Sequence, residues 1–200
     1  MDLLRIGCLT DREFKIVKKE IDAVKHKSVQ AGIYGKEGTR IDKKVRNSLL
    51  YFLDSSISFQ TFSTVHSIFI EKYLDTSYKF LNIPSVQYAS YRENNHFEWH
   101  QDLITQKGGL FRYFTMSINL SEPSNYSGGE LEVSLNGKSV FLEKKPGSYI
   151  CFPSFVYHKA HPVISGHRES LVVWAQATKQ EVDKLKIDFF KFNTTSVPKK

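Results

Sequence analysis

Cysteine is nearly absent from this sequence of 200 residues, which contains only Cys8 and Cys151. The two lie far apart and in no spacing typical of a metal site, which argues against a disulfide framework and for an intracellular protein. The sequence also has no run of about 18 apolar residues that could cross a membrane, and no signal-peptide pattern near its start. We therefore expect a soluble, cytoplasmic protein with no membrane partner.

Internal repeats and low-complexity linkers are absent as well, so a single domain is expected at this length. An apolar fraction of 40% and an aromatic fraction of 14% indicate a folded globular chain. The net charge is +7, with much of the excess between Lys15 and Arg46 and at the final lysines. A basic surface attracts anionic partners, but it is equally typical of a solvated helix, so charge alone assigns no function.

The first part of the chain is predicted to be helical. We expect a helical support region over residues 1–83, a catalytic core over 84–178 and a C-terminal helix and tail over 179–200. The predicted elements of the support region are a helix from Arg12 to about Lys25 capped by Asp11, a glycine-containing loop over Ala31–Thr39, a helix starting at Asp42 that buries Val45, Leu49, Leu50 and Leu53, and a helix over about Thr61–Phe80.

After Pro84 the pattern changes to short β-branched and aromatic segments separated by turn signals. Asn136-Gly137 is a strong signal for a two-residue hairpin. Seven or eight strands in about 90 residues are typical of a β-sandwich or barrel. The predicted strands are Val86–Tyr91, Phe97–Asp102, Arg112–Leu120, Glu130–Leu135, Lys138–Leu142, Gly147–Phe152, Tyr157–Val163 and Glu169–Ala175.

One group of residues carries chemistry. His100 and Asp102 are two apart in a strand-like stretch, so an imidazole and a carboxylate point to the same side. His158, in a later strand-like stretch, can supply a third ligand. Two imidazoles and one carboxylate form the facial triad of non-haem Fe(II) oxygenases. Zinc hydrolases use similar ligands, but the helical HExxH pattern typical of them is absent.

A basic residue follows the second histidine at a useful distance. Arg168 lies ten residues beyond His158, after the Ser165-Gly166 turn, and its guanidinium can clamp a carboxylate bidentately. Ser170 shares the same strand face and can add a hydrogen bond. Tyr91 can offer a phenol to the same carboxylate. These residues predict a site for an anionic co-substrate beside the metal.

The run from Tyr91 to Trp174 resembles the catalytic domain of prolyl 4-hydroxylase-like Fe(II)/2-oxoglutarate dioxygenases. The resemblance also takes in the segment from Asp42 to Ser48, which is similar to the helix that precedes that domain. It rests on an ordered set of motifs: Tyr91 to Asp102, Asn119-Leu120-Ser121-Glu122-Pro123, Gly128-Gly129-Glu130-Leu131, Phe152-Pro153-Ser154, His158 to Val163 and Gly166-His167-Arg168.

The resemblance implies a fold and a set of roles. The fold is a double-stranded β-helix of the jelly-roll type, mainly β with flanking helices. His100, Asp102 and His158 match the iron ligands, and Arg168 matches the residue that pairs with the distal carboxylate of 2-oxoglutarate. Tyr91 matches the tyrosine that hydrogen-bonds the co-substrate, and Thr115 lies on a strand that lines the co-substrate pocket. One departure is Asn119, which stands where many relatives carry Tyr.

Several other residues are expected to have structural rather than catalytic roles. His161 is a competing ligand candidate, but the resemblance aligns His158 with the iron. Trp99 and Trp174 are expected to be packing residues. Gly128-Gly129 is expected to make a tight turn into a core strand, and Cys151 to be a buried small apolar residue.

The implied enzyme is a 2-oxoglutarate-dependent dioxygenase that uses Fe(II) and O2, with ascorbate as an additional reductant, and releases succinate and CO2. Asp102 favours hydroxylation, because related halogenases have Gly or Ala there. The expected partner is a peptide or protein with a prolyl or other side chain, with a small molecule as a second option and nucleic acid disfavoured. The alternatives are an AlkB-type nucleic-acid demethylase, a free amino-acid hydroxylase and a non-enzymatic ligand-binding β-sandwich.

Overall fold

The fold is built from two antiparallel sheets and a layer of helices. The computed structural model describes residues 4–35, 38–53, 59–69, 82–104, 109–135 and 137–183. The expected fold class, mainly β with flanking helices, is confirmed. None of the helices within these residues is long and apolar enough to span a membrane.

The described strands are β1 Arg5–Cys8, β2 Val29–Gln30, β3 Ile33–Gly35, β4 Gly38–Arg40, β5 Arg46–Asn47, β6 Leu49–Leu53, β7 Val86–Arg92, β8 His96–His100, β9 Leu110–Asn119, β10 Tyr126–Gly128, β11 Leu131–Leu135, β12 Lys138–Phe141, β13 Ser148–Pro153, β14 Tyr157–Ala160 and β15 Val163–Thr178. The described α-helices are α1 Asp11–Val24, α2 Phe59–Ser67 and α3 Lys179–Asp183. The eight strands predicted after Pro84 are present, but the last, Glu169–Ala175, is the inner part of a longer strand, β15, which begins at Val163. Strand β10 was not predicted.

The larger sheet has the strand order β1-β13-β9-β15-β7-β6-β2, and β10 pairs with β15 beside this path. The smaller sheet has the order β12-β11-β14-β8-β5, and β3 pairs with β4 alone. The predicted hairpin between β11 and β12 is confirmed by the pairing of Leu135 with Lys138, and Asn136 itself lies outside the described residues. The consequence for the site is that β14 and β8, which carry the two histidines, are neighbours.

Successive residues of a strand point to opposite faces, and the larger sheet uses its two faces differently. Its outer face is apolar and packs under α1 and α2. The residues in this layer include Phe114, Met116, Ile118, Leu171 and Val173 of the sheet and Val17, Ile21, Phe62 and Val65 of the helices. Burial of this contiguous apolar layer is the main stabilisation of the fold.

The inner face of the larger sheet packs against the smaller sheet through two apolar clusters. One joins Ile150 and Phe152 of β13 to Leu131 and Val133 of β11. The other joins Ala89 and Tyr91 of β7 to Ala160 of β14, among others. Between these clusters the inner positions are polar yet buried, and they are Thr115, Ser117, Asn119, Arg168 and Ser170. A buried polar face of this kind is typical of a binding site rather than of a core.

The structure corrects the expectation of a wholly helical support region. The segment from Asp42 was predicted to form a helix, but it forms β5 and β6, and β6 pairs with β7 inside the larger sheet. Its apolar run Leu49–Leu53 is short, which left strand and helix equally compatible with the pattern. The predicted loop over Ala31–Thr39 also contains strand, since β3 pairs with β4 there.

The helix predictions at both ends of this region are closer. Helix α1 begins at Asp11, but its cap is Thr10, which forms a capping box with Glu13. Helix α2 matches the start of the third predicted helix, with Val65 buried, and the part of that prediction beyond Phe69 lies outside the described residues up to Asn82. The predicted C-terminal helix is present as α3, and residues 184–200 lie outside the described part.

Candidate active site

Three side chains that are far apart in sequence meet between the smaller sheet and the end of β13. His158 of β14 is the direct cross-strand partner of His100 of β8. Asp102 lies two residues beyond the end of β8, so it is not in the strand as predicted, although it still faces both imidazoles. Its Oδ1 is 3.7 Å from His100 Nε2, and its Oδ2 is 3.3 Å from His158 Nε2. The ligand atoms of all three lie within 4.8 Å of one another.

Both imidazoles are held in the orientation that a metal requires. His100 Nδ1 lies 2.7 Å from the carbonyl oxygen of Glu98, and His158 Nδ1 lies 3.0 Å from that of Val156. A carbonyl oxygen only accepts, so each Nδ1 carries a proton, and in the neutral form of each ring Nε2 keeps a free lone pair. Such a backbone bond fixes the tautomer and the ring direction of a metal-ligating histidine.

The local electrostatics favour the ligand form of the site. Burial above all lowers the pKa of His100 to about 3, and the neighbouring His158 lowers it further, so this imidazole is neutral. Burial alone would raise the pKa of Asp102, but the two histidines and hydrogen bonds from its neighbours hold it well below its usual range. A neutral imidazole and an ionised carboxylate are the forms that bind a cation.

Asp102 is anchored by several groups. Trp174 Nε1 donates to Oδ2 at 2.9 Å, and the Thr115 hydroxyl donates to the same oxygen at 3.1 Å. Because the Thr115 hydroxyl has one proton and donates it to Asp102, it accepts a hydrogen bond from the Ser154 hydroxyl 2.9 Å away. The Asp102 backbone amide donates to the Ser154 carbonyl at 2.8 Å. In the described part of the chain no hydrogen bond is made to Oδ1, which leaves that oxygen for a metal.

These residues fit a divalent iron ion. Atoms that ligate one metal at about 2.1 Å lie about 3 Å apart along the edge of an octahedron, close to the distances seen here. Two neutral imidazoles and one carboxylate on one side leave the opposite side open for other ligands. The ring of Phe97 stacks on His100 with centroids 3.5 Å apart, which limits the motion of that ligand.

Arg168 marks the second part of the site. It is only 3% exposed, on β15 directly opposite Tyr91 of β7, and its guanidinium carbon lies 5.3 Å from the centre of the Tyr91 ring. The Ser165-Gly166 segment expected to be a turn lies within β15, where Gly166 has a φ of +82°. Arg168 forms no salt bridge with any carboxylate in the described ranges. A buried, unpaired guanidinium is costly, so this one is suited to receive an anion.

The other predicted site residues also lie on the inner face. Tyr91 is buried under Arg168, and Ser170 is buried on β15 opposite Asn119 of β9. Thr115 contacts Asp102, so the structure places it at the metal end of the site. His161 does not reach the three ligands, because its Nε2 lies 2.6 Å from Glu132 Oε2.

Three comparisons with known proteins bear on this candidate site. A profile described as the 2OG-Fe(II) oxygenase superfamily matches residues 86–176, a segment that holds the three candidate ligands and Arg168. The match covers 91 of the 200 residues, so it concerns this segment of the chain. The predicted resemblance to prolyl hydroxylase-like, 2-oxoglutarate-dependent dioxygenases is thereby confirmed.

Individual relatives agree with the superfamily. A PKHD-type hydroxylase of Shewanella baltica is 31% identical over 90 residues, which are 44% of this chain and 40% of that protein. This chain thus aligns with less than half the length of that relative. A prolyl hydroxylase of Trichoplax adhaerens, solved with a peptide fragment of hypoxia inducible factor, has a TM-score of 0.68 at 14% identity, covering 92% of this chain and 87% of its own.

A Pseudomonas putida prolyl-4-hydroxylase has a TM-score of 0.66 at 15% identity, covering 86% of this chain and 91% of its own. At such low identity these likenesses concern the fold, and they confirm the expected double-stranded β-helix.

Sequence reasoning missed one residue of this candidate site. Trp174 was expected to be a packing residue, but its indole donates to the candidate ligand Asp102. A usable signal was present, since a buried Trp usually finds an acceptor for its N–H. Trp174 is also the cross-strand partner of Thr115, so the two donors approach Asp102 from adjacent strands.

Proposed function

We propose that this protein binds Fe(II) through His100, Asp102 and His158, binds 2-oxoglutarate at Arg168, and hydroxylates a side chain of a peptide or protein. Prolyl side chains are the leading candidates. The observation that carries the proposal is the pairing of a buried two-histidine, one-carboxylate cluster with a buried, unpaired arginine on the same inner face.

The residues have separable tasks in this proposal. When bound, Fe(II) with 2-oxoglutarate and O2 supplies the oxidation, in which one oxygen atom enters a substrate C–H bond as hydroxyl and the other leaves in succinate, with release of CO2. Trp174 and Thr115 keep Asp102 ionised and pointed at the imidazoles. Arg168 neutralises the distal carboxylate of the co-substrate and thereby sets its orientation. The surrounding apolar clusters keep water away from these charges.

A substrate contact is offered by Arg112 of β9. Its guanidinium carbon lies 3.9 Å from the centre of the Trp174 ring, which places it beside Asp102. Its Nε is buried and has no hydrogen-bond partner in the described part of the chain. An unpaired buried donor of this kind is satisfied by an acceptor such as a peptide carbonyl. This supports an extended peptide as the substrate.

The first experiment measures anaerobic Fe(II) binding with and without 2-oxoglutarate by visible absorption. Wild type is expected to develop a charge-transfer band that needs both components, and His158→Ala is expected to lose it. His161→Ala is the matched control, because His161 is three residues away and pairs with Glu132 instead. An absent band in wild type, or its survival in His158→Ala, contradicts the proposal.

The substrate class is tested separately by succinate formation. Proline-containing peptides are expected to increase turnover above the uncoupled background, and Arg112→Leu is expected to raise the KM for the peptide. Free amino acids and methylated oligonucleotides serve as the competing substrates. Stimulation by either of these, without stimulation by any peptide, contradicts the peptide proposal and leaves the iron site unaffected.

A further inference from the structure

Arg168 borders a small cavity whose other polar side chains are Asn119, Tyr126, Glu130, Glu143 and Lys144. Among these, Lys144 is already paired with Glu130. The long arginine side chain passes close to Gly129, where an added Cβ would lie 3.1 Å from Arg168 Cδ. Glycine at this position, with a φ of +66°, therefore leaves room for the arginine to reach the cavity. An anion bound by Arg168 meets whichever donors line this cavity.

Asn119 is not one of those donors. Its Nδ2 donates to the carbonyl oxygens of Ser121 at 2.8 Å and Lys144 at 2.7 Å. Because two backbone acceptors surround that end, the amide orientation is fixed by its network. The other end, Oδ1, is an acceptor and would repel a carboxylate. Asn119 thus orients its neighbours without binding an anion itself.

Tyr126 has the opposite properties. Its side chain is 6% exposed, and its hydroxyl donates to Asn119 Oδ1 over 3.4 Å, which is long and therefore weak for an O–H donor. Lys144 Nζ lies 4.9 Å from the centre of the Tyr126 ring and thereby holds the ring from one side. Lys144 is itself held by a salt bridge to Glu130. The ring is fixed, while the hydroxyl proton is free to turn to a better acceptor.

The protonation state of Tyr126 suits this task. Burial raises the pKa of Tyr126, and the opposing charge of Arg168 does not reverse that rise. The phenol therefore keeps its proton at neutral pH and remains a donor. An ionised carboxylate is a stronger acceptor than the Asn119 amide, so a change of partner is favourable when an anion enters.

We propose that Tyr126 is a co-substrate-binding residue whose hydroxyl moves from Asn119 to the distal carboxylate of 2-oxoglutarate beside Arg168. The inference rests on the proposed function, since it assigns a second donor to the same anion. In this arrangement Arg168 supplies the charge and Tyr126 supplies a directional hydrogen bond. Asn119 holds the hydroxyl in position until the co-substrate arrives.

The test compares two 2-oxo acids that differ only at the distal end. 2-Oxoglutarate and 2-oxopentanoate share a five-carbon chain, but the second has a methyl group in place of the distal carboxylate. Dissociation constants are measured anaerobically on Mn(II)-loaded protein by isothermal titration calorimetry. Tyr126→Phe is expected to weaken 2-oxoglutarate binding about tenfold and to leave 2-oxopentanoate binding unchanged.

The control variant is Tyr88→Phe, which also removes a buried tyrosine hydroxyl but on the outer face, where it donates to Glu169. It is expected to bind both 2-oxo acids as wild type does. Equal 2-oxoglutarate affinity in wild type and Tyr126→Phe overturns the inference, as does an equal loss for both 2-oxo acids. A wild-type protein that binds Mn(II) but no 2-oxoglutarate overturns the proposed function itself.

Discussion

The two faces of the larger sheet present a direct comparison, because the same strands build both. On β9, Phe114 points outward into the layer under the helices, and Thr115 points inward to Asp102. On β15, Leu171 and Ser170 divide in the same way. All four side chains are almost fully buried, so burial alone does not separate stability from chemistry. The partner does, since Phe114 and Leu171 pack in an apolar layer while Thr115 donates a hydrogen bond to a carboxylate.

The largest expected effect is on the outer face. Phe114→Ala removes a fully buried ring and is expected to reduce the free energy of unfolding by about 3–5 kcal/mol. Mn(II) affinity of the folded protein is expected to change little, because Phe114 contacts no ligand. Urea denaturation at low temperature measures the first quantity and calorimetry the second. A loss of metal affinity without a loss of stability would remove the distinction between the faces.

Trp174→Phe tests the inner face with a smaller effect on folding. The ring volume is largely kept, but Asp102 loses the 2.9 Å hydrogen bond from Nε1. Loss of such a partner is expected to lower metal affinity about 10–100-fold. Chelator competition with Mn(II) measures it. Trp99→Phe is the control, since Trp99 lies on β8 with Lys159 over its ring, and wild-type affinity is expected there.

The contrast between the two faces also explains why the strands after Pro84 are predictable from the sequence. The alternation of apolar and polar residues after Pro84 predicts the strands, and the strands bring His100 and His158 together. The prediction of a helix from Asp42 was wrong, because the apolar run of this segment is short and lies at one side of the sheet. Its conformation is set by pairing with β7, a long-range contact that local periodicity does not encode.

The hydrogen bonds that complete the site were not predictable from single positions. Trp174 has the large apolar ring that is typical of a packing residue. Its role beside Asp102 depends on the register that places it opposite Thr115. Tyr126 follows a 3-10 turn and precedes Gly128, and nothing in its local pattern indicates that it borders Arg168. Such roles depend on cross-strand register, which spacing along the sequence does not reveal.

Thr115→Val is a finer test of the same face. The substitution keeps the shape of the side chain and removes the hydroxyl that donates to Asp102 and accepts from Ser154. Metal affinity is expected to fall about tenfold, at the lower end of the range for such partners. Thr115→Ser restores the hydroxyl and is expected to recover most of the affinity. If the serine variant binds metal no better than the valine variant, the hydrogen bond is not the cause.

The smallest expected effect concerns a polar cluster on the outer side, where Glu169 accepts from Tyr88 at 2.5 Å and pairs with Lys18 and Lys25 of α1. Burial alone would raise the pKa of Glu169, but Tyr88 and the two lysines hold it below the usual 4.5. Its contribution to stability is therefore fully present above about pH 4.5 and lost as the pH falls through the lower, folded-state pKa.

That contribution is expected to be on the order of 1 kcal/mol. Urea midpoints of wild type and Glu169→Gln, compared across this acidic range, measure it, and the difference between the two proteins should shrink as the pH falls. A difference that stays constant at every pH would show that Glu169 stabilises the fold through shape and not through charge. The outer face would then contain no titrating contribution from this residue, while the proposed role of Asp102 on the inner face would be unaffected.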